Sequence, residues 1–296
     1  MPNIPVVFCF DSRILLGASV SIKSLIDSAK DETKYDIRIL HSDLNLKEQK
    51  ELSLLTENTG HNIAFHYINP NLFAGMPRSN GAWTEIVYYR FLTSKILPEY
   101  EKAIYSDVDV LFKDDLTELY ETNIDGYEFG AVKAEKNTPN TVGHKYFEEN
   151  KNNYIYWSGL MLINNIIFEE EKILDKLLEN AKFFNKRLKF FDLDLINITC
   201  NRIKELPLKY CLLQGFAYSD NIQEVQEYEY LKDVYSDEEI FQAKSKPAII
   251  HYAGKPGKPW RMKRPYEDYK VIINNLPKAL QKYTFRDLRK KIFSEV

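Results

Sequence analysis

Cysteine is scarce in this sequence. Cys9, Cys200 and Cys211 are the only three in 296 residues, and no two of them form a CxxC pair. A disulfide framework and a thiolate zinc site are therefore not expected, and reduced thiols in a cytoplasmic protein are. Long apolar runs are also missing, since none approaches the roughly 18 residues of a membrane span. The opening MPNIPVVFCF has no basic segment ahead of its apolar run, so it reads as a strand and not as a signal peptide. Neither sign of charge dominates. A net charge of −3 argues against a protein that coats nucleic acid. Glycine clusters are lacking where they would matter for one enzyme class. Nucleotidyltransferases carry a Gly- and basic-rich loop after their first strand, and FDSRILLGAS offers a single glycine there. There is no internal repeat and no low-complexity linker, so one domain with a C-terminal extension is the simplest organisation: residues 1–261, then 262–296.

What the sequence does have is alternation. Val6 to Phe10 is an apolar run of strand length, followed by Ala18, Ile22, Leu25, Ile26 and Ala29 at helical spacing. YDIRIL reads as a strand, LKEQKELSLLTEN as a helix, IAFHYI as a strand, and Thr84 to Lys95 as a helix closed by Pro98. YEFGAV, SGLMLIN and Ala248 to His251 read as further strands, Phe168 to Phe184 as one charged amphipathic helix, and a second helix begins near Asp192. Residues 217–245 are too polar to assign. Strand–helix alternation predicts an α/β fold, a mainly parallel sheet covered on both faces, with ligands at the carboxyl ends of its strands.

Two stretches carry chemistry. KAIYSDVDVLFK places Asp107 and Asp109 two residues apart after an apolar strand, and residues two apart on an extended segment point the same way. Two hard oxygen donors suit Mg²⁺, Mn²⁺ or Ca²⁺, commonly shared with phosphate oxygens. HYAGKPGKPW, His251 to Trp260, offers an imidazole at a strand end, two glycines and two lysines able to meet phosphate charge. An imidazole beside two carboxylates favours Mn²⁺ over Mg²⁺. A second Asp-x-Asp, Asp192-Leu193-Asp194, sits at a predicted helix start, where capping and the helix dipole suffice to explain it.

Basic charge is concentrated late in the chain. KPGKPWRMKRP holds five basic residues and no acid. In the last sixteen residues Phe285, Leu288, Ile292 and Phe293 recur at helical spacing among Arg286, Arg289, Lys290 and Lys291. Such a helix suits either the anionic cytoplasmic face of an inner membrane or packing on its own domain or on a partner.

YSDVDVLF together with HYAGKPGKPW resembles the two hallmark motifs of the family 8 glycosyltransferases, which include bacterial lipopolysaccharide galactosyl- and glucosyltransferases and glycogenin. The resemblance runs from about Val6 to Trp260. It implies a GT-A fold, that is, a single Rossmann-like nucleotide-sugar domain with a C-terminal helical extension. It also implies a UDP-sugar donor, a saccharide or lipid-linked acceptor, Mn²⁺, and transfer of a hexose with retention at the anomeric carbon. Residue by residue, it implies Asp107, Asp109 and His251 as metal ligands. Asp11 would lie at the uracil, and Val108, Lys258 and the Gly254 backbone on the nucleotide side. Arg90, in YYRFL, would sit by the diphosphate or sugar, and Asp192 at the sugar hydroxyls. Some positions depart from the pattern. Arg13-Ile14 follow the first Asp, Trp157 stands where many members have Asn, and Leu193 stands where the galactosyltransferases have Gln. GAVKAEK lacks the Asp often found near the sugar. The terminal loop is one residue longer than usual, so either Lys255 or Lys258 could take the phosphate role. A metal-dependent nucleotidyltransferase and an inactive sugar-nucleotide-binding module are the alternatives.

Overall fold

A computed structural model describes residues 3–78, 84–140 and 146–283. Its first strand, β1 (Ile4–Cys9), is buried along its whole length and pairs in parallel with β2 (Tyr35–His41) on one side and β4 (Lys102–Ser106) on the other. β3 (Asn62–Tyr67) continues the parallel set beyond β2. The two-residue period of a strand sends Val6 and Phe8 into one core and Val7 and Cys9 into another, so apolar side chains are needed on both faces. That is why the strand reads as a continuous apolar run. The helix Leu15–Asp27 covers the first face, with Ala18, Ile22 and Leu25 fully buried.

The rest of the sheet is mixed. β8 (Leu160–Asn164) runs antiparallel to β4, and β6 (Phe129–Lys136) lies antiparallel to β8. β7 (Tyr154–Tyr156) and β9 (Ile203–Leu206) both pair with β6. The spatial order is β3-β2-β1-β4-β8-β6-β7. The chain builds outward from β1 through β2 to β3, then returns to start β4 on the opposite side of β1. Strand order therefore reverses between β1 and β4, and a crevice opens beyond their carboxyl ends. Asp11 follows one of those ends and Asp107 the other.

A second, three-stranded sheet explains how the far end of the chain reaches that crevice. β5 (Val110–Phe112) follows β4 after a three-residue turn and pairs antiparallel with β11 (Ile249–His251), which also pairs with β10 (Leu212–Leu213). The register sets His251 opposite Val110, and the Tyr252 amide donates to the Asp109 carbonyl at 2.8 Å. The aspartates thus occupy the turn between two sheets, where the chain needs no inward-facing apolar residue.

Several elements differ from the sequence expectation. Over Thr84 to Lys95 the chain winds first as a 3-10 helix, Glu85–Leu92, and then as a short α-helix, Thr93–Ile96. Phe168 to Phe184 is two helices, Asn165–Glu170 and Ile173–Phe183, broken at Lys172 with its positive φ of 53°. The unassigned stretch 217–245 holds short helices, of which Asp237–Ser245 begins with a Ser236/Glu239 capping box. Helices Glu267–Asn275 and Lys278–Gln281 pack Tyr269 and Leu280 into the core beneath the helix Leu15–Asp27. The basic amphipathic segment from Phe285 to Phe293 lies outside the described residues. Among the described residues, no helix is long and apolar enough to cross a membrane.

Candidate active site

A cleft of about 670 Å³ opens at the crevice. Asp107, Asp109 and His251 converge on it, each offering a ligand atom within 4.8 Å of the others. His251 Nε2 lies 3.4 Å from Asp109 Oδ1 and 3.9 Å from Asp107 Oδ2. Its other ring nitrogen, Nδ1, meets the Sγ of Cys211 at 3.4 Å. That contact holds the ring so that Nε2 faces the carboxylates, the usual arrangement behind a ligating imidazole. Gly159 closes the floor. Its carbonyl accepts the Asp107 amide at 2.8 Å, and a Cβ there would stand 2.6 Å from His251 Cε1 and 3.1 Å from Asp107 Oδ2. Only glycine leaves room for both groups. Two carboxylate oxygens and an imidazole nitrogen, mutually close, fit a divalent cation of the Mn²⁺ or Mg²⁺ kind.

The electrostatics are balanced by two cations. Arg90 is buried, 5% exposed, on the 3-10 helix Glu85–Leu92. Its Nη2 contacts Asp107 Oδ1 and its Nη1 contacts Asp192 Oδ2, both at 3.0 Å. It also donates to the carbonyls of Ser158 (2.6 Å) and Val87 (2.8 Å), and lies 4.3 Å from the centre of the Tyr105 ring. Every arm of the guanidinium is satisfied, which is how a buried charge survives desolvation. Tyr105 Oη donates to the same Asp107 oxygen at 2.6 Å, so Oδ1 is committed to the protein and Oδ2 faces His251. Lys258 forms an ion pair with Asp109 Oδ2 and donates to the Tyr252 carbonyl at 3.0 Å. Burial works against charge on His251, yet Asp109 and Cys211 push its pKa up to about 10. Burial opposes ionisation of Asp109 too, but Lys258 and His251 hold its carboxyl well below the ordinary range. Asp192 goes the other way. Burial, only partly offset by Arg90 and reinforced by Asp107, raises it to about 6.

The remaining expected residues fall as follows. Val108, Gly254 and Lys258 line the cleft, and Lys255 does not. Lys258 is therefore the lysine that the fold brings to the site. Asp11 also lines it, but its carboxylate is taken by Arg13, which donates from its backbone amide at 2.9 Å and from Nε at 2.8 Å. Trp157 and Leu193, two of the departures from the family pattern, line the same cleft. Four contributors were not legible in advance: Gly159, Cys211, Gln214 and Glu227. Gln214 Nε2 faces the carbonyls of Ala253, Gly254 and Gly257 at 3.2–3.3 Å and so clamps the loop that carries Lys258. Only SGLMLIN held a hint, a glycine directly before an apolar strand. The others depend on pairings between distant segments.

Comparison with known proteins agrees with this geometry. The model of glycosyl transferase family 8 matches residues 5–264. A putative glycosyltransferase of Haemophilus influenzae is 25% identical over 268 residues, covering 87% of this chain and 73% of the relative. Glycosyltransferase GlyF of Streptococcus pneumoniae is 26% identical over 86% of this chain, which spans 56% of that longer protein. The lipopolysaccharide 1,2-glucosyltransferase of Escherichia coli is 20% identical over 92% of this chain and 78% of its own length. Among solved structures, the galactosyltransferase LgtC in complex with donor and acceptor sugar analogues superposes with a TM-score of 0.77, covering 94% of this chain and 99% of LgtC at 19% identity. At that identity the likeness bears on the fold, which is GT-A. The sequence match, running nearly end to end, settles the rest: the chain belongs to glycosyl transferase family 8 and is a transferase of glycosyl groups.

Proposed function

We propose that the protein moves a hexose from a UDP-sugar, UDP-glucose or UDP-galactose, to a saccharide acceptor with retention of anomeric configuration. The setting we propose is bacterial cell-surface glycan synthesis in the cytoplasm, with residues 1–261 as the transferase domain. The observation that carries this reading is the meeting of Asp107 and Asp109 with His251, 142 residues further along the chain than Asp109, at the switch point of a nucleotide-sugar fold.

In this reading Asp107, Asp109 and His251 hold Mn²⁺, or Mg²⁺. When bound, the ion offsets diphosphate charge and makes UDP a better leaving group. The chain's own groups do the rest. Lys258 and the Gly254 backbone meet the diphosphate, and Arg90 keeps Asp107 in place and adds positive charge nearby. Asp11 and Arg13 flank the base end of the cleft. Asp192 accepts hydrogen bonds from the hydroxyls of the transferred sugar. The acceptor hydroxyl attacks from the face the diphosphate leaves, and its proton passes to the departing phosphate oxygen, so no protein base is needed. Catalysis then rests on positioning and charge stabilisation. Leu193 has no lone pair to offer behind the anomeric carbon, and Asp192 is tied to Arg90, which argues against a side-chain nucleophile.

The test is product analysis. Incubation with UDP-glucose or UDP-galactose and Mn²⁺ is expected to release UDP, to stop on chelation, and to give an α-linked product by NMR. Release of pyrophosphate would point to nucleotidyl transfer instead. No turnover with any UDP-sugar would leave the binding-module alternative.

A further inference from the structure

Five carboxylates line the cleft: Asp11, Asp107, Asp109, Asp192 and Glu227. Four of them face a cation. Asp11 pairs with Arg13, Asp107 and Asp192 with Arg90, and Asp109 with Lys258. Glu227 differs. Among the described residues its carboxylate meets no lysine, arginine or hydrogen-bond donor, and it stands outside the three-residue metal cluster. It is half-buried, so it does not simply extend into bulk water.

The fold also makes a seat for it. A Cβ on Gly254 would lie 2.6 Å from Glu227 Oε1, and one on Gly215 would lie 3.4 Å from Glu227 Oε2. Gly254 has a φ of +73°, in the region glycine favours, and Gly215 follows Gln214, which clamps the Gly254 loop. The carboxylate thus rests between two glycines on two different elements. Tyr230 stands beside it in the cleft, its hydroxyl kept protonated by burial and by the nearby Glu227 charge. A half-buried carboxylate with no protein partner keeps its lone pairs for water or for a donor that a ligand brings. The diphosphate cannot be that donor, since it repels it. A sugar hydroxyl can, and a charge-assisted hydrogen bond to it is among the stronger kinds.

We infer that Glu227, seated between Gly215 and Gly254, is the residue that binds the hydroxyls of an uncharged saccharide acceptor, with Tyr230 as the adjoining apolar surface. The inference rests on the glycosyltransferase reading above. It makes two demands: acceptors are neutral polyols and not acidic sugars, and Glu227 acts on the acceptor and not on the donor.

The test uses the full chain with Mn²⁺, UDP-glucose and UDP-galactose, and as acceptor probes lactose, methyl β-galactoside, methyl α-glucoside and glucuronic acid. Donor hydrolysis without acceptor, transfer kinetics, and saturation-transfer NMR of the probes in the presence of UDP are read in parallel for wild type, Glu227→Gln and Glu227→Ala. The expected result is a KM for a neutral acceptor raised on the order of 10- to 100-fold, less for Gln than for Ala, with a clearly smaller change in donor hydrolysis. Glucuronic acid should bind wild type worst. An unchanged acceptor KM, a fall in donor hydrolysis that parallels transfer, or a wild type that binds no neutral probe would each overturn the assignment. Failure of the underlying reading looks different: wild type would then release no UDP from either donor, whatever the state of Glu227.

Discussion

The chain uses the pattern Asp-x-Asp twice, and the two copies behave differently. In Asp107-Val108-Asp109 the backbone is a turn between extended segments, and both carboxylates reach the same point in the cleft. In Asp192-Leu193-Asp194 the backbone starts a helix, Asp192–Thr199, and the two acids part company. Asp192 turns to Arg90 and the cleft, while Asp194 turns back and accepts the amides of Lys189 (2.7 Å) and Phe190 (2.8 Å) through Oδ2. Residues i and i+2 on a helix do not share a face, whereas the turn after β4 brings both carboxylates to one point. The same three letters therefore give two converging carboxylates in one place, and one cleft residue plus one structural residue in the other.

Breaking the first copy should cost most. Asp109→Asn is expected to lower transfer at least about 10²- to 10³-fold, with Mn²⁺ affinity by calorimetry falling alongside. Gly159→Ala attacks the same copy from beneath by driving a methyl into His251 Cε1. Metal affinity should drop on the order of 10-fold, as when an orienting contact of a metal ligand is lost, while far-UV circular dichroism stays native. The second copy should fail in another currency. Asp194→Ala leaves two amides without their acceptor, so thermal unfolding should show a loss of about 1–3 kcal/mol with Mn²⁺ affinity unchanged. If Asp194→Ala instead abolished metal binding with little loss of stability, the contrast between the two copies would be wrong.

The smallest effect sharpens the contrast through pH. Asp192 holds its proton up to about 6 in the fold, against an ordinary 3.8. Between those values the folded chain binds more protons at this position than the unfolded chain does, so this group's contribution to stability is highest below the lower value and declines as pH rises through the upper one. In chelator, the stability difference between wild type and Asp192→Asn should shift against wild type from pH 4 to pH 6. A difference that is flat across that range would mean that Arg90 keeps Asp192 ionised throughout.

The grouping of Asp107, Asp109 and His251 was legible in the sequence, because short apolar runs and residue chemistry mark the strand ends they sit at. Asp107, Asp109 and His251 each follow or end a short apolar run, and the fold places them where that pattern implies. The parallel half of the sheet was legible for the same reason. What was hidden depends on contacts between segments far apart. The mixed half of the sheet arises because β8 returns antiparallel to β4 and β6 in turn runs antiparallel to β8, which no local spacing encodes. The helix expected from Phe168 to Phe184 breaks at Lys172, although its apolar spacing runs through the break. The 3-10 winding around Arg90 differs from an α-helix by a fraction of a residue per turn, too little for apolar spacing to report. Glu227 lies in the polar stretch that resisted assignment, and its meaning comes from Gly215 and Gly254, 12 and 27 residues away.

The central claim is that one cation is held jointly by the turn after β4 and the imidazole at the end of β11. Pulsed electron paramagnetic resonance of the Mn²⁺-loaded protein with UDP tests this directly, because it detects a nitrogen bonded to the ion. The account predicts one Mn²⁺ per chain with an imidazole nitrogen coupling that vanishes in His251→Ala while the other four histidines remain. A wild-type spectrum with no such coupling, or a coupling that persists in His251→Ala, would contradict it.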